Sequence, residues 1–363
     1  MPSIFINGEL NADASKWRGT DGKLYQYKIA DGQPRIVNQT YLQQIAEGNV
    51  EGHTPFTKIG FTPTMTTADS DIWSKAGVYV FPTAAGKWDC ISSDAADKGN
   101  IIFSGTSSGG STTSLIDATK DFTAGTPVAV GDCIVLDKSG TTPEWGYVTS
   151  VAATTLGVSG GFSSSGTGAI RAYAVLDKSV VAGALAVKIE YLTNTCTSKS
   201  EIVILNGAAA VDTINTDLYR VNSFRVIATG TNNFPTGNIS LRVSGGATTY
   251  SYITAGFTRA RNTIYTVPAG KTLYIYGFSV AYATSGSPNK EYARLYTRAN
   301  MDPSTRFKTG SLFYSYTEVI AQNTTVIVPL QVPTKFDSCT DIKVSGIASV
   351  AGIATCVLRG WLE

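Results

Sequence analysis

Histidine is almost missing from this chain: His53 stands alone among 363 residues. That scarcity removes the Ser/His/Asp and Cys/His arrangements of nucleophilic catalysis and most zinc sites, which rely on imidazole to move a proton or hold the metal. Charge is scarce as well. Asp, Glu, Lys and Arg supply 15% of the residues and the formal net charge is +2, where soluble domains carry roughly 25% charged residues. So weak a field neither drives like copies apart nor attracts a phosphate backbone, and no Lys/Arg cluster has the density of a nucleic-acid patch. No window approaches about 18 continuous apolar residues, so no membrane-spanning helix is expected. The opening MPSIFINGEL lacks the basic start and apolar run of a secretory signal, which points to synthesis in the cytoplasm. Five cysteines, Cys90, Cys133, Cys196, Cys339 and Cys356, include no C-x-x-C pair, so metal-ligand spacing is absent too.

What is present is turn-forming and β-branched. Thirty-six Gly and 13 Pro, with abundant Ser, Thr and Val, describe short strands joined by tight turns, because Gly and Pro punctuate the chain and branched side chains suit a pleated surface. The fold class expected is all-β: β-sandwich and jelly-roll domains, an inserted small β-barrel and an extended N-terminal arm. Residues 1–60 read as the arm, polar and irregular except for a short helix over 40–47. There Thr40 and Gln43 form a capping box and Gly48 supplies the left-handed cap. Residues 61–98 with 179–258 read as a sandwich, with strands expected at 77–81 and 87–91. Between them 99–178 changes character: Gly/Ser/Thr-rich edges enclose a compact meander at 130–151, as expected of a small barrel inserted at a loop tip. Residues 259–363 carry about seven further strand signals and read as a jelly-roll-like domain.

A series of phrases carries a resemblance. In order they are Tyr41-Leu-x-x-Ile-Ala-x-Gly-Asn-Val-x-Gly-His53, Lys58-x-Gly60, Asp71-Ile-Trp73, Gly77-Val-Tyr79, Ile91-Ser-Ser-Asp-Ala-Ala-Asp97, Val187-Lys-Ile-Glu190, Val203-Ile-Leu-Asn-Gly207, Tyr219-Arg-Val-Asn222 and Tyr265-Thr-Val-Pro-Ala-Gly-Lys271. Over about 41–280, without 99–178, this series resembles virion structural proteins of tailed bacteriophages of the head-decoration or head-fibre type. The resemblance implies a non-enzymatic structural role in the virion, as a decoration protein or head fibre bound to major capsid or neck proteins. The alternative is a tail or baseplate fibre that binds a host-surface glycan.

No catalytic, cofactor or metal residue is expected. His53 has no sequence partner for proton transfer, and Asp69 with Asp71 and Asp94 with Asp97 are spaced as turn and cap residues. Asp212 and Asp217 lack the ligand spacing of a calcium loop. In 272–278, strand alternation puts Leu273, Ile275 and Gly277 on one face and Tyr274, Tyr276 and Phe278 on the other. Both faces are apolar, so core or a neighbouring subunit is expected to cover each. With the low charge, this suggests a homo-oligomer, a trimer being favoured. Trp17, Tyr25, Tyr27, Tyr41, Leu42 and Ile45 are more apolar than a solvating tail requires and are the candidate attachment residues. The odd cysteine count leaves at least one thiol unpaired in a monomer. Cytoplasmic synthesis favours free buried thiols, and Cys196, in a polar turn, is the candidate for an intermolecular disulfide.

Overall fold

The computed structural model describes residues 16–18, 24–30, 33–38, 41–140, 142–159, 162, 171–284, 291–298, 314–321 and 324–363, with the backbone alone described at 16–18, 24–30, 33–38, 41–42, 291–298, 314–319 and 331. Among these the fold is antiparallel sheet throughout, with one short helix.

Three strands come first, where an irregular arm was expected. β1 (Lys16–Arg18), β2 (Leu24–Ala30) and β3 (Gln33–Asn38) form an antiparallel meander. Ala30 pairs with Gln33, so two residues connect β2 to β3, and in the sequence they are Asp31-Gly32. That dipeptide, between a period-two run and a second apolar run, is the strongest short hairpin signal. α1 (Tyr41–Ala46) follows and ends as its sequence dictates. Gly48 takes φ 71°, and the amides of Gly48 and Asn49 donate to the carbonyls of Ile45 and Gln44 at 3.0 and 2.8 Å, which closes the last turn in a Schellman arrangement.

The remainder is three β-units, each inserted into the next. β4 (Thr54–Met65) and β5 (Ser70–Asp71) belong to the outermost unit, which the chain rejoins only after residue 260. β6 (Trp88–Ser92) opens the middle unit. The innermost unit contains β7 (Asn100–Thr106), β8 (Gly109–Ser111), β9 (Ser114–Ile116), β10 (Cys133–Leu136), β11 (Glu144–Val151), β12 (Thr155–Ser159) and β13 (Ala172–Asp177), in the order β7-β13-β10-β11-β12-β9-β8. β7 and β8 are one bent run of chain that pairs at both ends of this path, so the sheet returns on itself as a small barrel around Phe122, Ile134, Val148, Leu156 and Val175.

The middle unit resumes with β14 (Ala184–Leu192), β15 (Ser198–Ile204), β16 (Val211–Asp212), β17 (Arg220–Thr229), β18 (Ile239–Val243) and β19 (Thr249–Ile253). Sheet β15-β14-β17 faces sheet β16-β6-β18-β19 across Trp88, Val187, Ile189, Phe224 and Leu241. The outermost unit ends with β20 (Tyr265–Thr266), β21 (Leu273–Ala283), β22 (Glu291–Arg298), β23 (Tyr314–Ala321), β24 (Thr325–Phe336), β25 (Asp341–Ala348) and β26 (Gly352–Leu362). Its sheets are β20-β25-β22-β23, with β5 against β25, and β24-β21-β26-β4. This is the alternating two-sheet connectivity of a jelly roll, closed on Met65, Ile72, Ile275, Phe278, Val344 and Leu358.

The expected domain limits therefore shift at two places. Residues 54–71 join the jelly roll instead of the arm and the sandwich, because Thr54–Met65 supplies the edge strand that β26 needs, with Leu358 opposite Lys58 and Cys356 opposite Gly60. Residues 77–81 form no strand. Tyr79 packs edge-on with both Trp73 and Phe81, in a cluster that includes Ile264, while Val78 and Val80 point outward with no sheet partner. Links that lock the middle unit to the jelly roll include an ion pair and a disulfide. Arg220 on β17 and Asp341 on β25 form a buried two-pronged ion pair at 3.0 and 3.2 Å. Cys196 in the β14–β15 turn is disulfide-bonded to Cys339 in the β24–β25 turn.

Candidate functional site

That disulfide corrects the expectation for Cys196. The residue is fully buried, and its partner lies in the same chain with a Cα–Cα separation of 5.8 Å. Leu192 and Tyr219 cover the pair, so an apolar pocket replaces the exposed turn. Cys90, Cys133 and Cys356 are buried and take no part in that bond. Burial pushes the Cys133 thiol up to about 12 and raises that of Cys90, so neither supplies a thiolate at neutral pH.

The carboxylates are engaged in structure. Asp71 accepts the Tyr79 amide at 2.6 Å and pairs with Lys343 at 2.8 Å. Burial raises its pKa in spite of that partner. Asp97 is wholly buried where the chain enters and leaves the barrel. It accepts the amides of Ala184, Thr236 and Gly237 at 2.7, 2.9 and 2.8 Å. Asp94 caps the Ala96 amide, Asp212 pairs with Lys87, and Asp217 pairs with Lys199. His53 donates within its own turn, with Nδ1 2.9 Å from the Glu51 carbonyl oxygen. Among the described residues no group of three or more His, Cys, Asp or Glu is placed to hold a metal.

The six attachment candidates fall in the N-terminal region. Trp17 is the register partner of Tyr25, and Tyr27 lies two residues along β2. The side chains of these three and of Tyr41 and Leu42 lie outside the described residues. Ile45 is described and is 3% exposed, so it packs inward and is not available for attachment.

The jelly roll's sheet β24-β21-β26-β4 offers a broader surface. A bulge sits at Tyr276, where the register of β21 slips against both neighbours. Tyr274 and Tyr276 point outward and stack on Trp361, at 5.1 and 6.2 Å between ring centroids. Beyond the bulge the phase reverses, so Phe278, expected beside those tyrosines, enters the core. One extra residue moves every later side chain to the other face. The outward positions past the bulge include Ile59 and Phe61 on β4, Ile353 and Val357 on β26, Ala281 on β21 and Ile327 on β24. Ile327 is 67% exposed and Ile353 48%. No charged side chain occupies an outward position between Arg359 and the Ala283 end of this face.

The chain matches no family model, no curated protein and no solved structure.

Proposed function

We propose that this chain is a non-enzymatic structural protein of a tailed-phage virion that decorates or stabilises the capsid as a homo-oligomer, most favourably a trimer. The observation that carries the oligomer is the outer face of β24-β21-β26-β4, whose strands present no charged residue between Arg359 and the Ala283 end and hold Ile327 and Ile353 into solvent. Four strands at about 4.8 Å spacing and about ten residues at about 3.3 Å each present roughly 600 Å² per copy. Two copies would bury about 1,200 Å², the range in which specific interfaces begin. A second copy suits this face because its strands past the bulge present apolar residues, and the +2 net charge sets up little repulsion between copies. The virion assignment is supported by the ordered phrases over 41–280. Three of them carry buried ties of the fold: Asp71 pairs with Lys343 within the jelly roll, Asp97 ties the barrel's entry to its exit, and Arg220 joins sandwich to jelly roll.

Light scattering across micromolar concentrations tests the oligomer. The wild type is expected at a multiple of 38.3 kDa, and Ile327→Asp with Ile353→Asp at the monomer mass with an unchanged far-UV spectrum. A monomeric wild type would overturn the oligomer. Absence of the chain from purified, labelled particles would overturn the virion assignment.

A further inference from the structure

A second surface lies where the jelly roll meets the sandwich. A cleft of about 510 Å³ runs between the edge strand β4, the edge strand β17 and the segment 258–262 that joins the two units. Three cations line it: Lys58, Arg225 and Arg259. Lys58 is held from below by neutral groups alone. Its Nζ donates to the Asn222 carbonyl at 2.6 Å and to Asn262 Oδ1 at 3.1 Å, and it lies 5.8 Å from the centre of the Tyr265 ring. Arg225 is braced over Trp145 of the barrel at 5.1 Å, and its Nε is buried without a hydrogen-bond partner. Arg259 is exposed and makes no ion pair among the described residues. The neighbouring carboxylate, Glu190 on β14, is already shared by Lys188 at 3.8 Å and Arg225 at 3.6 Å.

With Lys58, Arg225, Arg259 and the nearby Lys188 set against the one carboxylate of Glu190, the cleft carries excess positive charge, and an anionic ligand relieves it. The remaining lining includes the hydroxyls of Thr57, Ser223 and Thr258, a set suited to a ligand with many hydroxyls of its own. The volume is in the range of pockets that enclose small ligands. We propose that this cleft binds an acidic sugar unit of a polysaccharide, its carboxylate between Lys58 and Arg259 and its hydroxyls on Thr57, Ser223 and Thr258. The site does not depend on whether the chain sits on head or tail.

Proton linkage gives the site a signature. Desolvation lowers the Lys58 pKa to about 8, Glu190 opposing and Arg259 adding to the shift. The other groups around it are Arg225 on β17 and the Tyr265 ring on β20. A bound carboxylate favours the protonated amine, so binding takes up protons near pH 8 and weakens above it.

The test is calorimetry on the full chain with a hexuronic-acid disaccharide, a neutral disaccharide of the same size, sodium acetate, sodium phosphate and an oligoglutamate peptide. The uronic disaccharide is expected to bind at pH 7 and at least tenfold more weakly at pH 9.5. The neutral disaccharide is expected not to bind, and acetate or phosphate to compete only at much higher concentration. Lys58→Met and the exposed Arg259→Ser are each expected to weaken binding at least tenfold while melting cooperatively. Oligoglutamate binding as tight as the disaccharide's would overturn the proposal in favour of an acidic protein partner. Phosphate binding as tight would overturn it in favour of a simple anion site, and so would equal binding by both variants or none by the wild type.

Discussion

Lys58 is a residue whose placement costs the fold something. Its folded pKa of about 8 lies below its ordinary 10.5, so folding favours the neutral amine. The stability this group contributes is complete above 10.5 and is lost as pH falls through about 8. Lys58→Met is therefore expected to melt higher than wild type at pH 7, with the gap narrowing by pH 10; an equal gap at both pH values in calorimetric melts would refute the assignment. Cys196 and Cys339 act in the opposite sense. Their bond joins turns 143 residues apart, and closing so long a loop restricts the unfolded chain by roughly 3–5 kcal/mol. Cys196→Ser with Cys339→Ser should lower the melting temperature, and non-reducing peptide mapping of the wild type should recover the Cys196–Cys339 pair with no intermolecular band. The pairing was not legible in the sequence because the two turns lie on different units, and only the docking of sandwich on jelly roll brings them together.

Among the elements, the barrel is the clearest case of a unit with two kinds of surface. Its interior is its own, yet Cys133, Val135 and Leu176 on its outside pack on Leu185, Ala186, Ile202, Ile227 and Ala228 of the sandwich. Excising 99–178 with a short linker is cheap in loop entropy, which changes slowly with length, but it bares that apolar patch. The plain deletion is expected to aggregate. The same deletion with Ile202→Thr and Ile227→Thr should remain soluble and unfold cooperatively by circular dichroism, and failure of both would place the barrel within the sandwich's core. The low-complexity edges and the meander at 130–151 were visible in the sequence, because Gly/Ser/Thr clusters mark loops whatever surrounds them. The bulge at Tyr276 was not, since a register slip depends on two neighbouring strands and leaves the local alternation looking intact.

For the whole molecule, the nested order matters most. The jelly roll opens at Thr54 and cannot complete its β24-β21-β26-β4 sheet until β26 arrives at residues 352–362, so its pairing is highly non-local and slow to form. The segment before it has a different standing. Among the described residues β1, β2 and β3 pair only with one another, whereas Ile45 of α1 is buried. Deleting 1–38 is expected to leave the melting of the body unchanged while abolishing incorporation into particles. Normal incorporation of the truncated chain, measured on purified particles, would remove the attachment role from β1–β3.

Composition and local pattern determined the all-β class, the Gly48 helix cap, the inserted segment and the strands of the C-terminal block. Each follows from backbone preferences and period-two alternation that act within a few residues. Tertiary structure alone decided which unit Thr54–Met65 completes, that Cys196 meets Cys339, that Phe278 turns inward, and that Lys58, Arg225 and Arg259 share one cleft. These depend on pairings between segments more than a hundred residues apart, or on a bulge that forms only against both neighbouring strands. Their free energy comes from burial and register across units, which no local window of sequence contains.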